Sequence, residues 1–155
     1  MELRSDPAGP TIRAFAPGDD GAVVSLWEAA GLTRPWNDPH RDIARKLRVQ
    51  PEGFLVAVAG TEIVGSVMAG YDGHRGWVNY LAVAPAFRRA GLGRALMAEA
   101  ERVLRGLGCP KVNLQIRATN EAAVGFYEAL GYTADDVVSL GRRLEHDPPP
   151  SDPRG

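Results

Sequence analysis

The stretch from residue 76 to residue 116 constrains the fold more than any other part of the chain. It holds two strand-like apolar runs, GWVNYLAVAP (76–85) and KVNLQI (111–116), on either side of the helical sequence AGLGRALMAEAERVLRGLG (90–108). One side of that helix carries an apolar stripe made by Leu92, Leu96, Ala100, Val103 and Leu107. A strand, a helix and a strand in this order predict two parallel strands joined by a crossover helix, and therefore an α/β fold.

The rest of the chain adds strands and helices around this unit. Apolar runs at 53–60 and 62–71 meet at Gly60-Thr61, which predicts a β-hairpin. Further strands are predicted at 11–17 and 136–144. Further helices are predicted at about 20–30, at 38–48 with Ile43 and Leu47 inward, and at 120–130. Hairpin and crossover connections together predict a mixed, mostly antiparallel central sheet with helices on both faces.

Composition indicates one globular domain. The chain has 155 residues, 45% of them apolar, and a net charge of −1, which gives no general affinity for nucleic acid. It has one cysteine, Cys109, and no apolar run near the roughly 20 residues of a membrane span, and its first ten residues lack the apolar core that a signal peptide has. We therefore expect a cytoplasmic protein without a membrane partner. Its domain should span 11–144, between a flexible N-terminus (1–10) and a disordered, Pro-rich tail (145–155).

The sequence FRRAGLGRA (87–95) places three arginines and two glycines where the strand 76–85 leads into the next helix. Backbone amides at a helix start are unpaired and favour anions, and glycines let an anion approach them closely. The lysine that a P-loop requires does not follow these glycines, and the third glycine of a dinucleotide-binding fingerprint is missing. The turn by itself fits a phosphate site and a solvated arginine cluster equally well.

Two motifs lie in the right order on the predicted helices, RRAGLG (88–93) and NEAAVGFYEALGY (120–132). They resemble the two signatures of the GNAT (GCN5-related) N-acetyltransferase superfamily, of which the first reads Arg/Gln-x-x-Gly-x-Gly/Ala. The sequences LTRPWNDP, AGYDGHRG, GCPK and SLGRRL are further similar to the YpeA-type branch of bacterial GNAT proteins. The resemblance covers residues 11–144 and implies the GNAT fold, in which the parallel strands splay apart at one end.

The resemblance implies acetyl-CoA as the donor and direct transfer of its acetyl group to a primary amine. The pyrophosphate would be held by the main chain and side chains of Arg88, Arg89, Ala90, Gly91, Leu92, Gly93 and Arg94. The pantetheine arm would pair with the strand edge at Leu81, Ala82 and Val83, with Asn120 beside it. An amide near Leu81 or Ala82 is the candidate donor to the oxyanion.

Tyr127 is the predicted catalytic acid. Asn120, Val124 and Tyr127 share one face of the helix 120–130, so Tyr127 is directed toward the same gap as Asn120. In the family the tyrosine of this motif protonates the leaving thiolate, and general acid catalysis typically contributes roughly 10²–10⁴-fold. The structural alternatives are a half-buried Tyr127 packed on the sheet and an Asn120 that serves as a helix N-cap.

The general base and the acceptor site are less defined by the sequence. Tyr71, Asp72 and His74 lie in a turn that leads into the strand 76–85, and histidine commonly accepts a proton near neutral pH. The same residues are ordinary turn chemistry, and a water chain ending at a carboxylate is an equal alternative for the base. Trp36 and Asp38 are further acceptor-site candidates, although burial of Trp36 against the next helix and capping by Asp38 are expected structural roles.

Alternatives to an enzyme remain at this point. A non-catalytic module that senses acetyl-CoA would bind the donor without needing Tyr127, and a nucleotide binder would use the same turn for ATP or NAD. The acceptor can be a small-molecule amine or a protein amine. The histidines are too isolated to suggest a metal. A homodimer through the last strand is a further expectation from the resemblance.

Overall fold

The computed structural model describes residues 9–147, and the segments 1–8 and 148–155, which hold most of the two predicted terminal tails, lie outside the described residues. The elements in chain order are β1 (Thr11–Ala14), α1 (Asp20–Ala29), α2 (Pro39–Lys46), β2 (Phe54–Ala59), β3 (Glu62–Tyr71), β4 (Gly76–Val83), α3 (Leu92–Gly106), β5 (Val112–Leu114) and α4 (Glu121–Ala129). Short 3₁₀ turns precede β2 (Pro51–Gly53) and follow β4 (Pro85–Phe87). In the described part of the chain no helix has the length and apolar character needed to cross a membrane.

The five strands of the described chain form one sheet in the order β1-β2-β3-β4-β5. Neighbours are antiparallel except β4 and β5, which are parallel and connected by α3. The strands β2 and β3 form the predicted hairpin, since Ala59 pairs with Glu62 across Gly60-Thr61. The prediction of a mixed, mostly antiparallel sheet is confirmed.

The side chains of β2 alternate between two hydrophobic cores, one on each face of the sheet. Leu55 and Ala57 join the core beneath α3, whereas Phe54 and Val56 join the core beneath α1 and α2. Successive strand residues point to opposite faces, so each face needs its own cover of helices. The expected placement of helices on both faces is confirmed.

Two side chains predicted to point inward are more exposed than expected, because their helices end early. Leu107 is 36% exposed since α3 ends at Gly106, and Leu104 forms the last buried turn of the stripe. Leu47 is 41% exposed because α2 ends at Lys46. The period of the apolar residues predicted the faces of both helices but not where each face ends.

The strand β4 carries a β-bulge. Ser66 pairs with Ala82 and Met68 pairs with Asn79, so β4 accommodates one extra residue between those pairs. Tyr80 lies in the bulge with φ of +54°, a left-handed conformation that a bulky residue rarely adopts. A bulge bends its strand, and this one lies just beyond the end of the ladder with β5.

The predicted strand 136–144 is wrong. Among residues 9–147 no strand follows α4. Four apolar side chains of this stretch are 76% to 91% exposed, namely Val137, Val138, Leu140 and Leu144. Alternation of apolar residues favours a strand, but a ladder also needs a neighbouring edge in register. The C-terminal segment (residues 133–147) is held instead by side chains, since Asp135 bonds Lys111 at 2.7 Å and Ser139 contacts Gln115.

Candidate functional site

A cavity of about 1930 Å³ opens where β4 and β5 separate. The two strands are paired only from Gly76 to Val78 of β4. Beyond Val78, residues of β4 and residues that follow β5 line the cavity from the two sides of the gap. On one side its walls are α2 and the loop between α1 and α2, and on the other side they are α4 and part of the C-terminal segment. The cavity therefore connects the two faces of the sheet through the gap between the parallel strands.

The strand β4 contributes Asn79, Tyr80 and Leu81 to the cavity wall. In the described chain these residues have no strand partner on the β5 side, because that ladder ends at Val78. An extended, amide-rich ligand can pair with such an edge as an added strand. Ala82 is buried beneath α1 and Val83 packs toward α3, so their contribution to such an edge would be made by main-chain atoms.

The arginine-glycine turn leads from β4 into α3 and lies outside the cavity lining. Arg89 and Gly91 have φ of +66° and +83°, and the first helical bond is donated by the amide of Ala95 to the carbonyl of Gly91 at 3.0 Å. The amides of the first turn before Ala95 are therefore not used within the helix. The exposed cationic side chains around them are Arg88, Arg89 and Arg94.

Gly93 has a packing role as well. A Cβ at this position would lie 3.1 Å from Cζ of Phe126 and 3.8 Å from Cγ2 of Val83. The helix α4 thus packs directly against the first turn of α3. The two sequence motifs are in contact through this pair, which fixes the position of α4 relative to the turn.

The first residue of the second motif caps α4. The side chain of Asn120 accepts a hydrogen bond from the amide of Ala123 at 3.1 Å, so the structural role expected for it is present. Asn120, Val124 and Tyr127 all line the cavity, which confirms that they share one face. The capping bond uses the Oδ1 atom, and the amide nitrogen of Asn120 is left for another partner.

Tyr127 is half-buried in the cavity wall. Its ring contacts Phe126 and Tyr132 edge to face, at centroid distances of 5.0 and 5.8 Å. Burial raises the pKa of Tyr127 to about 12, so the phenol is protonated at neutral pH. Within residues 9–147 its hydroxyl has no hydrogen-bond partner, in contrast to that of Tyr132, which donates to Glu101 at 2.6 Å.

Residues 22–132 match the acetyltransferase (GNAT) family. The chain belongs to this family. An acetyltransferase of Pectobacterium atrosepticum is 52% identical to it over 136 residues, which cover 88% of this chain and 96% of that protein. The solved structure of Ard1 from Thermoplasma volcanium is 29% identical with a TM-score of 0.69, over 81% of this chain and 84% of the other.

An aminoglycoside N-acetyltransferase in complex with CoA shares the fold, with a TM-score of 0.73 at 19% identity over 90% of this chain and 99% of the other. The family match and the named relatives identify the protein as an acyltransferase that transfers acetyl groups. The GNAT fold inferred from the two motifs is confirmed.

In this GNAT acetyltransferase the turn before β4 is stabilised by hydrogen bonds between its own residues. The carboxylate of Asp72 accepts hydrogen bonds from the amides of Arg75 and His74, both at 2.7 Å, and these bonds lower the pKa of Asp72. The hydroxyl of Tyr71 donates to the carbonyl of Gly73 at 3.1 Å. Tyr71, Asp72 and His74 are not among the residues that line the cavity. The structure therefore shows the turn chemistry and does not bring these residues to the gap.

The loop between α1 and α2 does border the cavity. Trp36 lines it and is 49% exposed, so the expectation that this ring is buried against α2 is wrong. The tryptophan stands before the helix, at the mouth of the cavity, where no apolar surface covers it fully. Asp38 caps α2 as expected, since its carboxylate accepts from the amide of His40 at 2.9 Å.

A buried hydrogen-bond network behind the bulge is not evident from the sequence. The indole of Trp27 donates to the hydroxyl of Ser66 at 2.8 Å, and that hydroxyl donates to the carbonyl of Tyr80 at 2.8 Å. The ring of Tyr80 stacks on Trp27 at a centroid distance of 3.8 Å, and its hydroxyl donates to Asp42 at 2.7 Å. The one signal in the sequence was Ser66, a polar residue inside the apolar run of β3.

An ion pair joins α2 to the end of the C-terminal segment. Arg45 binds both Asp42, at 2.9 Å, and Asp147, whose carboxylate is buried. Asp147 also accepts from the amide of Asp38 at 2.8 Å. The Arg45 guanidinium, followed by the Asp38 amide, lowers the pKa of Asp147 to about 2. Asp42 and Arg45 are three residues apart on α2, a spacing at which side chains can pair, whereas Asp147 is 102 residues from Arg45 and no local pattern points to it.

Proposed function

We propose that this acetyltransferase takes its acetyl group from acetyl-CoA and transfers it to a primary amine by direct attack. The amine nitrogen forms a bond to the thioester carbonyl carbon, the carbon–sulfur bond breaks, and CoA leaves with a proton while the amine loses one. The observation that carries the proposal is the position of Tyr127, whose unpartnered hydroxyl lies in the wall of the cavity at the gap between β4 and β5.

The residues of the arginine-glycine turn fit the donor. The first turn of α3 leaves amides unused, three exposed arginines surround it, and a pyrophosphate can take both kinds of donor. The edge of β4 at Leu81 can pair with the amides of a pantetheine arm, which would run from the turn into the gap. The likeness of the fold to an aminoglycoside N-acetyltransferase in complex with CoA supports the same donor.

The bulge of β4 supplies the site for the reacting carbonyl. Tyr80 in its left-handed conformation interrupts the regular direction of the backbone just before Leu81. The amide of Leu81 is the donor for the oxyanion that develops on the thioester oxygen. Because Tyr80 is fixed by Ser66 and Trp27, that amide is held in place before the substrates bind.

Tyr127 then serves the leaving group. With its pKa raised to about 12 by burial, the Tyr127 phenol is a weak acid, but the same burial destabilises a thiolate in the cavity and so increases the affinity of that thiolate for a proton. The phenol therefore donates a hydrogen bond to the sulfur as negative charge develops, and the proton follows when the carbon–sulfur bond breaks. Loss of this proton donor should reduce turnover more than it reduces donor binding.

The experiment measures CoA release with a panel of primary amines for the wild type and for Tyr127→Phe. We expect kcat to fall by roughly 10²–10⁴-fold while the Kd for acetyl-CoA stays the same. Tyr132→Phe is the matched control, because it removes a hydroxyl that is bonded to Glu101 and should leave kcat near the wild-type value. Wild-type turnover retained in Tyr127→Phe would rule out the acid. Tight binding of acetyl-CoA without CoA release from any amine would favour the sensor.

A further inference from the structure

The wall of the cavity that is formed by α2 and the loop before it has one carboxylate among its lining residues. On α2 and the loop before it, the ionisable residues that line the cavity are Arg34, Asp42, Arg45 and Lys46. Arg34 is bonded to the carbonyls of Gly31 and Thr33, and Lys46 to the carbonyl of Ala69 at 2.6 Å. Asp42 is therefore the anion that this side of the cavity offers to a ligand.

The charge of Asp42 is not cancelled by its neighbour. Arg45 is shared between Asp42 and Asp147, so the three side chains carry two negative charges and one positive charge. Asp147 is the more buried partner, with 1% of its side chain exposed, against 22% for Asp42. Arg143 also acts on Asp147, which leaves Asp42 with a shared cation only, and Asp42 is the carboxylate of this group that lines the cavity, where a cation can approach it.

Tyr80 connects Asp42 to the proposed reaction centre. Its hydroxyl donates to Oδ2 of Asp42, while its backbone leads directly to Leu81, the proposed oxyanion donor. Burial, and next the bond to Asp42, raise the pKa of Tyr80, so its hydroxyl stays protonated. The proton points to Asp42, and the lone pairs of the same oxygen can accept a bond from a ligand.

Tyr127 and Tyr80 reach the cavity from opposite faces of the sheet. Tyr127 belongs to the core beneath α3, whereas Tyr80 belongs to the core beneath α1, and both line the same cavity. If the leaving sulfur is placed at Tyr127, the nucleophile has to approach the carbonyl from elsewhere, and the wall at Tyr80 offers a separate approach. Trp36 provides apolar surface at the mouth on this side.

We infer that Asp42 and the hydroxyl of Tyr80 form the site that binds the acceptor as a primary ammonium ion. An ammonium group has three N–H donors and a positive charge, and it matches a carboxylate oxygen beside a phenol oxygen. Asp42 is a binding residue in this arrangement, and Tyr80 positions both the carboxylate and the amine. The inference rests on the proposed amine acetylation and adds that the acceptor arrives as a cation. The bound ammonium then releases one proton to water in the open cavity, and the free amine attacks the thioester.

The test compares Asp42→Asn and Tyr80→Phe with the wild type, using the amine of the panel with the highest kcat/KM. A hydrogen bond to a charged group is worth about 1.5–3 kcal/mol, so KM for the amine should rise about 10- to 150-fold in Asp42→Asn. The Kd for acetyl-CoA should not change, and kcat should change far less than KM. In Tyr80→Phe the ring stack on Trp27 is kept, and a smaller rise in KM is expected.

Glu62→Gln is the control for lost charge, because it removes one carboxylate at the exposed start of β3, outside the cavity lining. Thermal unfolding of each variant reports whether it is folded. An unchanged KM for the amine in a folded Asp42→Asn would overturn the inference and leave the acetyl transfer intact. If the wild type releases no CoA with any amine, calorimetric binding of n-butylammonium to the protein–CoA complex decides the question. Binding that Asp42→Asn weakens supports the ammonium site, and no binding or equal binding overturns it.

Discussion

Removal of one buried hydroxyl should destabilise the protein by several kcal/mol. Ser66 is fully buried, and its hydroxyl is both the acceptor for the indole N–H of Trp27 and the donor to the carbonyl of Tyr80, each at 2.8 Å. In Ser66→Ala both partners stay where they are. Trp27 is also fully buried, so water cannot replace the lost bond to its N–H without opening the core.

The size of the effect follows from the number of groups left without a partner. The fully buried indole N–H of Trp27 costs about 1–3 kcal/mol when it loses its hydrogen bond, and the part-buried carbonyl of Tyr80 adds less, which gives about 2–4 kcal/mol in all. The methyl group of alanine fits the space, so no cavity term is added. For a chain of this size a loss of about 3 kcal/mol lowers Tm by roughly 6–12 °C.

Urea unfolding followed by tryptophan fluorescence measures the free energy of unfolding of both proteins. Ser25→Ala is the matched control, since Ser25 lies on the exposed side of α1 and should change stability by less than about 0.5 kcal/mol. Because Tyr80 holds the bulge beside Leu81, kcat for acetyl transfer should fall in Ser66→Ala as well. If Ser66→Ala is as stable as Ser25→Ala, neither the indole N–H of Trp27 nor the carbonyl of Tyr80 depends on the Ser66 hydroxyl.

Two further predictions concern the start of α3 and the end of the C-terminal segment. Gly93→Ala should lower both stability and turnover, because its Cβ would lie 3.1 Å from Cζ of Phe126, and the ring that packs α4 against α3 would have to shift by a few tenths of an ångström. Gly106→Ala on the same helix meets no atom within 4 Å and should leave both properties unchanged or raise stability slightly. Comparable behaviour of the two variants would refute this packing role. Asp147 has its pKa lowered to about 2, so its stabilising contribution is complete above pH about 4 and is lost as the pH falls toward 2. Acid titration of the unfolding free energy should therefore show a steeper fall in the wild type than in Asp147→Asn, and identical curves would contradict the assigned ion pair.

Features that depend on neighbouring residues could be read from the sequence. Gly108 and Gly131 adopt φ of +86° and +96° just after α3 and α4, as stop residues should. Asp38 and Asn120 accept bonds from amides of the helices that they precede, and Gly60-Thr61 closes the hairpin. Each of these roles is decided within about one turn of chain, where residue type limits the backbone directly.

Features that depend on distant pairing could not be read in the same way. The stretch 136–144 has the alternation of a strand, yet it forms no ladder, because pairing requires an edge that only the folded sheet can offer. Of the two roles expected for Trp36, burial against α2 is not found, and the half-exposed ring lines the cavity instead; the elements that surround it meet only in the folded chain.

The sequence by itself determined the order of strands and helices as far as α4, the two motifs and hence the family, because these follow from local periodicity and from residue types at fixed spacing. Only the tertiary structure decided where the bulge of β4 lies and which side chains meet behind it. Asp42, Tyr80 and Ser66 come from α2, β4 and β3, and their contacts join residues 14 to 38 positions apart. Such contacts depend on the packing of helices on a sheet, which no local pattern encodes.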